Sequence, residues 1–576
     1  MISQLKYLLE DKIKIFYYIL SLNIISLIFE LLCLISVPFF VSSIFSPSFI
    51  IDKFNYYDIN EILNFSLNEE NIVFVGIFFL ISSFLFKNFF LIYIYFFQGS
   101  FLKNVKINLE KKIFNYYIKS NFINHNKNNP ANILRNINDE VMGFYNYTYH
   151  FFLLIREILT LVLIFIIFTF TSYKAAITIS IFLFILIFLY LKYIRPSVKV
   201  RSENNQTFRK NMSQSIIETF RAIQDIKIYN KEKYVQKNFM ENVNKFEQNH
   251  FIFGLMGKLP RVVLEIISVL VGLIFILAII NSNVQFDNDT LVLLAFFAIG
   301  IIRFIPAFNA VTVSINYLKI FKASVKLLVN EIKKFNYINS QNQIIRDDFK
   351  LNSKNKSYIY VDDISFDYGE DSPFKLQKFS IELKSGKKVA IVGKTGSGKS
   401  TFNYLLNGLI TPKQGNIFYK GKNIEKIKKV WEKKIGYVSQ NIFLFNSSIQ
   451  NNITMFASKK NIDQKRLSKA VKISNLEEKI KSLSNGLDSM VGVDGLSLSG
   501  GERQRIAIAR AIYKDPEILF LDEFTSSLDN KTKAKILQKL FRHFISKNIF
   551  LITHDLKIAK KCDEILHVNK GIIKRI

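Results

Sequence analysis

Gly393–Lys394–Thr395–Gly396–Ser397–Gly398–Lys399–Ser400–Thr401 fits the pattern G-x-x-x-x-G-K-[ST], and its flanks supply the setting that pattern needs. The apolar run Val389–Ala390–Ile391–Val392 before it predicts a buried strand. Thr401–Phe402–Asn403–Tyr404–Leu405–Leu406 after it predicts the first turns of a helix. Glycines let backbone N–H groups curl around phosphates, and the helix N-terminus adds the positive end of its dipole. Lys399 then neutralises phosphate charge while the Ser400 hydroxyl is placed to ligate Mg²⁺. The ligands expected here are ATP and Mg²⁺.

Working outward, the two halves of the chain differ in solvent. A length of 576 residues argues for two or more domains, and most of the 57 Phe and 26 Tyr lie in the first half. Apolar stretches of about 20 residues, enough to cross a bilayer, recur up to residue 315 and then stop. Two cysteines, Cys33 and Cys562, exclude a disulfide framework or a cysteine metal cluster. The net charge of +31 comes with no nucleic-acid fold signature. Basic loops facing an anionic leaflet account for much of it, so nucleic acid is not an expected partner.

Residues 1–13 are amphipathic and suit an interfacial helix. Six spans are expected near 15–45, 71–101, 145–170, 174–194, 255–281 and 290–315. The connections 46–70 and 282–289 are acidic, whereas 102–144 and 195–254 are rich in Lys and Arg. Both termini are therefore expected in the cytoplasm. The two basic connections read as helical extensions of the spans, with polar breaks at Asn121–Pro130 and around Thr207–Gln214 that are suited to docking helices. Charges inside the spans are expensive in hydrocarbon: Glu30, Lys87, Arg156, Glu157, Glu265 and Arg303, with Arg261 at the approach to its helix. They serve either structural pairing or cargo. Lys87, Arg261 and Arg303 together would suit an anionic headgroup in a substrate cavity, with Pro260 and Pro306 beside two of them as kink sites. The expected boundaries are a membrane domain at 1–329, a polar linker at 330–357 and a nucleotide domain at 358–576.

In the nucleotide half, Tyr368 closes the run Ile364–Ser365–Phe366–Asp367–Tyr368 and is placed to stack on an adenine ring. Ile435–Gly436–Tyr437–Val438–Ser439–Gln440 predicts a strand whose terminal Gln440 reaches Mg²⁺ or the attacking water. Leu498–Ser499–Gly500–Gly501–Glu502 opens a helix and forms a second anion-binding nest. One complete phosphate loop is already present, so the economical reading has this nest capping ATP held by another copy. Glu517–Ile518–Leu519–Phe520–Leu521–Asp522–Glu523 is an apolar strand delivering two carboxylates, Asp522 for Mg²⁺ and Glu523 to polarise water. Ser526–Ser527–Leu528–Asp529 follows. A further strand, Ile549–Phe550–Leu551–Ile552–Thr553, ends at His554, which is positioned to sense the γ-phosphate.

In this order the motifs resemble the A-loop, Walker A, Q-loop, signature, Walker B, D-loop and H-switch of the ATP-binding-cassette family, over residues 358–576. Six spans ahead of one cassette resemble an exporter-type half-transporter. The resemblance implies an α-helical polytopic membrane domain joined to an α/β P-loop NTPase domain, with Glu523, His554 and Gln440 as catalytic groups. Three departures are mild: Glu502 where the signature usually has Gln, Ser527 where the D-loop usually has Ala, and Asp494–Gly495 where exporters often have Glu–Gly. Within the family, Phe29–Glu30, Leu259–Pro260–Arg261, Leu264–Glu265 and Arg303–Phe304–Ile305–Pro306 resemble PglK-type flippases of lipid-linked oligosaccharides. Lys87 stands where that resemblance asks for arginine, losing bidentate phosphate geometry.

The function this implies is ATP-driven flipping or export of a lipid-linked oligosaccharide or glycolipid by a homodimer in the bacterial inner membrane, with the cassette in the cytoplasm. The rival is a general lipid or drug exporter of the lipid-A-flippase type. A peptide exporter lacks support because no Cys-protease domain precedes the first span. The spans weigh against a non-transport cassette ATPase, and the complete catalytic set weighs against a receptor.

Overall fold

Long apolar runs dictate long helices, and the first part of the chain is built of them, with isolated glycines such as Gly76 and Gly300 carried inside. The computed structural model describes residues 2–56, 68–127, 130–171, 192, 195–281, 288–344, 358–369, 374–492, 495, 497–525 and 527–576. Asp494, Ser526 and, apart from Lys192, the expected span 174–194 lie outside the described residues, as does the side chain of Arg261. The chain divides into one unit of Met1–Lys119 with Asn128–Asn339, and another of Ser120–Lys127 with Ser340–Ile576.

The first unit contains α1 (Ile2–Leu9), α2 (Ile13–Phe45) and α3 (Glu69–Lys119). The short α4 (Phe122–Lys127) belongs to the second unit. The first unit resumes with α5 (Val141–Thr171), α6 (Arg195–Arg221), α7 (Glu232–Asn281) and α8 (Asn288–Ile344). Among the described residues four helices are long and apolar enough to cross a membrane: Ser3–Phe45, Glu69–Lys119, Asn132–Phe170 and Ala298–Lys334. They carry the expected spans at 15–45, 71–101 and 145–170 and overlap that at 290–315, while the segment 255–281 is helical within α7. Leu5, Leu8 and Leu9 of α1 are buried in a core shared with Leu102, Val105 and Leu109 of α3 and with Phe144 and Phe152 of α5. The amphipathic N-terminus therefore spends its apolar face inside the unit.

Two expected boundaries move. The segment 207–214 is polar but holds neither Pro nor Gly, so α6 runs straight through it. The chain breaks instead around a short helix, Ile223–Ile228, and turns at Asn230, whose φ of 52° is left-handed. Likewise the polar stretch from Asn330 does not begin as a loop. Lacking a breaker, it continues α8 to Ile344, and residues 345–357 lie outside the described residues.

Among its described residues the second unit carries ten strands: β1 (Ile359–Asp367), β2 (Lys375–Leu383), β3 (Lys388–Val392), β4 (Gln414–Tyr419), β5 (Lys422–Asn423), β6 (Ile435–Val438), β7 (Ile518–Asp522), β8 (Asn548–Ile552), β9 (Glu564–Asn569) and β10 (Ile572–Arg575). Its helices include α9 (Lys399–Asn407), α10 (Gly500–Tyr513) and α11 (Asn530–His543). An antiparallel sheet runs β2-β1-β4-β5, and a six-stranded sheet runs β10-β9-β3-β8-β7-β6. Every residue of β3, β7 and β8 is buried, as continuous apolar strands require when helices cover both faces. Phe122 of α4 packs its ring 5.1 Å from that of Tyr404, and Ile123 beside it joins the same core. The expected break after Asn121 thus contributes a helix to the cassette unit.

Candidate active site

Strand register assembles the site. In the parallel core Ile391 pairs with Ile552, Asp522 with Ile552, and Val438 with Leu521. The carboxyl ends of β3, β8, β7 and β6 therefore stop at one edge, where ligands bind open α/β sheets. From that edge emerge the phosphate loop, His554, Asp522–Glu523 and Gln440.

The loop has the shape of an anion cradle. At Gly393 φ is 156°, and a Cβ there would meet the Val568 carbonyl at 2.1 Å, so only glycine fits. Lys399 is buried, and its ammonium donates to the carbonyls of Gly393 at 2.9 Å and Lys394 at 3.0 Å. Burial pushes that ammonium below its usual range, with Glu523 and Asp522 opposing. The buried Ser397 Oγ has no hydrogen-bond partner, while Lys394, Thr395, Gly396 and Ser400 are exposed. A buried cation, an unmet hydroxyl and open backbone amides at the start of α9 fit a polyphosphate. The Ser400 hydroxyl and the Asp522 carboxylate are hard oxygen donors of the kind Mg²⁺ takes.

Glu523 sits just past β7 with φ at 45°, a left-handed backbone that costs a non-glycine residue roughly 1–3 kcal/mol. Its amide donates to the Ile552 carbonyl at 3.1 Å, which ties the turn to β8. Gln440 Nε2 donates to Glu523 Oε2 at 2.7 Å, and His554 Nε2 lies 2.7 Å from Oε1. Side chains from the two flanking strands thus hold one oxygen each. The neighbouring Asp522 is buried, and burial together with Glu523 raises its pKa, while Tyr437, Asn403 and Lys399 work against the rise.

Tyr368 stands beside the phosphate loop, fixed at its hydroxyl end and along its edge. Its hydroxyl shares a 3.0 Å hydrogen bond with Thr401 Oγ1, and its ring stands edge-on to Phe366. Phe374, which sequence reasoning passed over, lies 6.3 Å from the Tyr368 ring and so close to Gly398 that a Cβ there would meet it at 2.4 Å. Tyr437 and Asn403 were also missed. Their signal was a polar group on an otherwise buried face, and Asn403 is 1% exposed.

At the signature, Ser499 caps α10 in a full capping box with Glu502. Buried Gln504 accepts from the Ser527 amide at 3.2 Å, which fastens the D-loop to the same helix. Asp529 then caps α11 by accepting from the Thr532 amide, and Leu528 packs partly buried against the core.

Two of the three expected headgroup cations, Lys87 and Arg303, are already engaged. Lys87 lies 3.1 Å from Glu30, Arg303 pairs with Glu30 and lies 3.6 Å from Glu157, and Arg156 binds Glu157 at 2.6 Å. Arg156 also donates to Tyr95 at 3.0 Å. The network joins α2, α3, α5 and α8, and Lys87 and Arg303 are partners of Glu30 within it. In hydrocarbon an unpaired charge is too costly to keep, so the carboxylates claim the cations. The group contains Lys87, Arg156 and Arg303 against Glu30 and Glu157, a surplus of one positive charge. Separately, Glu265, Ile302, Ile305, Pro306 and Asn309 line a cavity of about 300 Å³ beside Pro306, which lies inside the continuous helix α8.

With this geometry in view, the chain's matches to known proteins fall into place. Residues 376–526 match the ABC transporter domain model and residues 20–259 the ABC transporter transmembrane region. This chain belongs to the ABC transporter family. It is similar to an ATP-dependent lipid A-core flippase of Vibrio parahaemolyticus, 40% identical over 38% of each chain. It is also similar to one of Photorhabdus laumondii, 33% identical over 51% of this chain and 54% of the relative. A third, of Francisella tularensis, is 28% identical over 67% and 62%. The chain thus spans well under two thirds of the length of the first of these relatives. A bacterial Atm1-family ABC exporter with ATP bound shares the fold at a TM-score of 0.70, covering 98% of this chain and 94% of that one at 18% identity.

Proposed function

We propose that this chain is one half of an ATP-hydrolysing exporter that moves a lipid or glycolipid across a bacterial inner membrane, with its cassette in the cytoplasm. The carrying observation is Glu523, held between Gln440 and His554 beside the phosphate loop. In this reading Gly393–Thr401 bind the ATP phosphates, with Tyr368 near the base, and Ser499–Glu502 close on the nucleotide of a second, identical chain. Glu523 takes the proton of the attacking water, His554 and Gln440 orient it, and Ser526–Asp529 link the two sites. Bound Mg²⁺, held by Ser400 and Asp522 with Gln440 beside them, would offset phosphate charge.

The lipid class is supported by the names of the relatives. A second reading, a pyrophosphate-linked glycan, draws on the surplus positive charge among Lys87, Arg156 and Arg303. The test is ATPase activity and translocation of the full chain in proteoliposomes containing either lipid A or a polyprenyl-pyrophosphate glycan. Stimulation by lipid A alone supports the first reading, and stimulation by the glycan alone replaces it with the second. Turnover that survives Glu523→Gln defeats both.

A further inference from the structure

The signature of this chain carries a negative charge at a place built to receive one. Glu502 stands at the third position of α10, where the dipole and the open amides also favour a ligand phosphate. The two anions compete for the same helix end. Glu502 already consumes a donor, because Oε2 accepts from the Ser499 amide at 2.8 Å. In return the Glu502 amide donates to Ser499 Oγ at 3.3 Å, which leaves the serine hydroxyl proton free to point away from the helix.

The other carboxylate oxygen is held from outside the helix. Lys479, on the short helix Glu477–Ser482, places its ammonium 3.0 Å from Glu502 Oε1. Both groups are mostly shielded, at 27% and 16% exposure, so the pair is screened less than a surface ion pair. Arg503, next in sequence, is not the counter-ion, since its Nη1 donates to the Leu498 carbonyl at 3.3 Å. The segment bearing Lys479 is itself anchored. Arg505 of α10 donates to the Asn475 carbonyl at 3.1 Å, and Lys539 of α11 donates to the Lys472 carbonyl at 2.8 Å. Burial alone would raise the Glu502 pKa, but the Ser499 amide and Lys479 more than offset it, and the carboxylate stays ionised.

We propose that Lys479 is a positioning residue for nucleotide: it neutralises Glu502 and keeps that carboxylate folded beneath the first turn, so that Ser499, Gly500 and Gly501 present donors rather than a charge to the phosphate. This rests on the composite nucleotide site proposed above. Without Lys479, an uncompensated carboxylate faces an incoming polyphosphate. Like charges roughly 8 Å apart at an intermediate dielectric of about 40 weaken binding about five-fold.

The experiment uses the full chain in proteoliposomes. Lys479→Ala is expected to raise the KM for ATP about five-fold while kcat stays within about two-fold and the melting temperature is unchanged. Lys479→Arg should keep the wild-type KM. Adding Glu502→Gln to Lys479→Ala should restore it, because no charge remains to be neutralised. An unchanged KM in Lys479→Ala, or a double variant as impaired as the single one, overturns the proposal. Should Lys479→Ala fold poorly, the same comparison between Lys479→Met and Lys479→Met/Glu502→Gln decides it. Wild-type turnover abolished by Glu523→Gln is the control, and its failure would implicate the ATPase reading instead.

Discussion

His554 Nε2 lies 2.7 Å from one oxygen of Glu523 while Gln440 holds the other, so side chains following β8 and β6 fix a carboxylate that follows β7 between them. A carboxylate gripped on both oxygens keeps its orientation.

Glu523→Gln should bind ATP with near-normal affinity yet hydrolyse it about 10²- to 10⁴-fold more slowly, because the amide keeps the hydrogen bonds but accepts no proton. Single-turnover hydrolysis alongside equilibrium nucleotide binding separates the two effects. Turnover close to wild type would remove Glu523 from the role of base.

Lys399→Ala should act on binding itself. Lys399 is the buried cation of the loop, and its two carbonyl partners lie in the loop backbone, so its loss removes charge and disorders the cradle. Mixing Lys399→Ala chains with Ser499→Arg chains tests the shared site, since each heterodimer then keeps at most one intact composite site. Disulfide trapping between Ser397→Cys and Ser499→Cys should occur between chains. A bond that forms only within one chain would contradict the head-to-tail dimer.

Arg303→Ala should lower thermal stability and basal ATPase together. It strips a partner from Glu30 and Glu157, and breaking a buried pair costs roughly 3–5 kcal/mol, toward the lower end here because Lys87 still faces Glu30. Arg303→Lys should recover part of the loss. A variant with wild-type melting temperature and basal ATPase but no lipid stimulation would move Arg303 from helix pairing to cargo.

Acid stability should depend on Glu517. Burial favours its neutral form, but Lys434, Tyr419, Lys420 and Tyr358 converge on the carboxylate and hold its pKa well below the usual range. A depressed carboxylate contributes stability that is whole above the ordinary pKa of about 4.3 and lost as pH falls toward the folded value. Melting temperatures between about pH 5 and pH 2 should therefore fall less steeply for Glu517→Gln than for wild type. Parallel curves would show that the cluster carries no such linkage.

Local pattern decided much of this protein. The phosphate loop, the apolar strands ending in Asp522–Glu523 and at Thr553, and the signature helix start could be read directly, because strand ends and helix caps depend on near neighbours in the chain. The long helices followed from uninterrupted apolar runs. Tertiary structure decided what depends on partners far away in sequence. Lys87 and Arg303 read as open cations until Glu30, 57 and 273 residues distant, took them up. Tyr368 read as a ring near the nucleotide, and folding fixed its hydroxyl on Thr401 of the phosphate loop. Glu502 read as a mild departure until Lys479 was found beside it. A charge's meaning lies in its counter-ion, and only folding brings the two together.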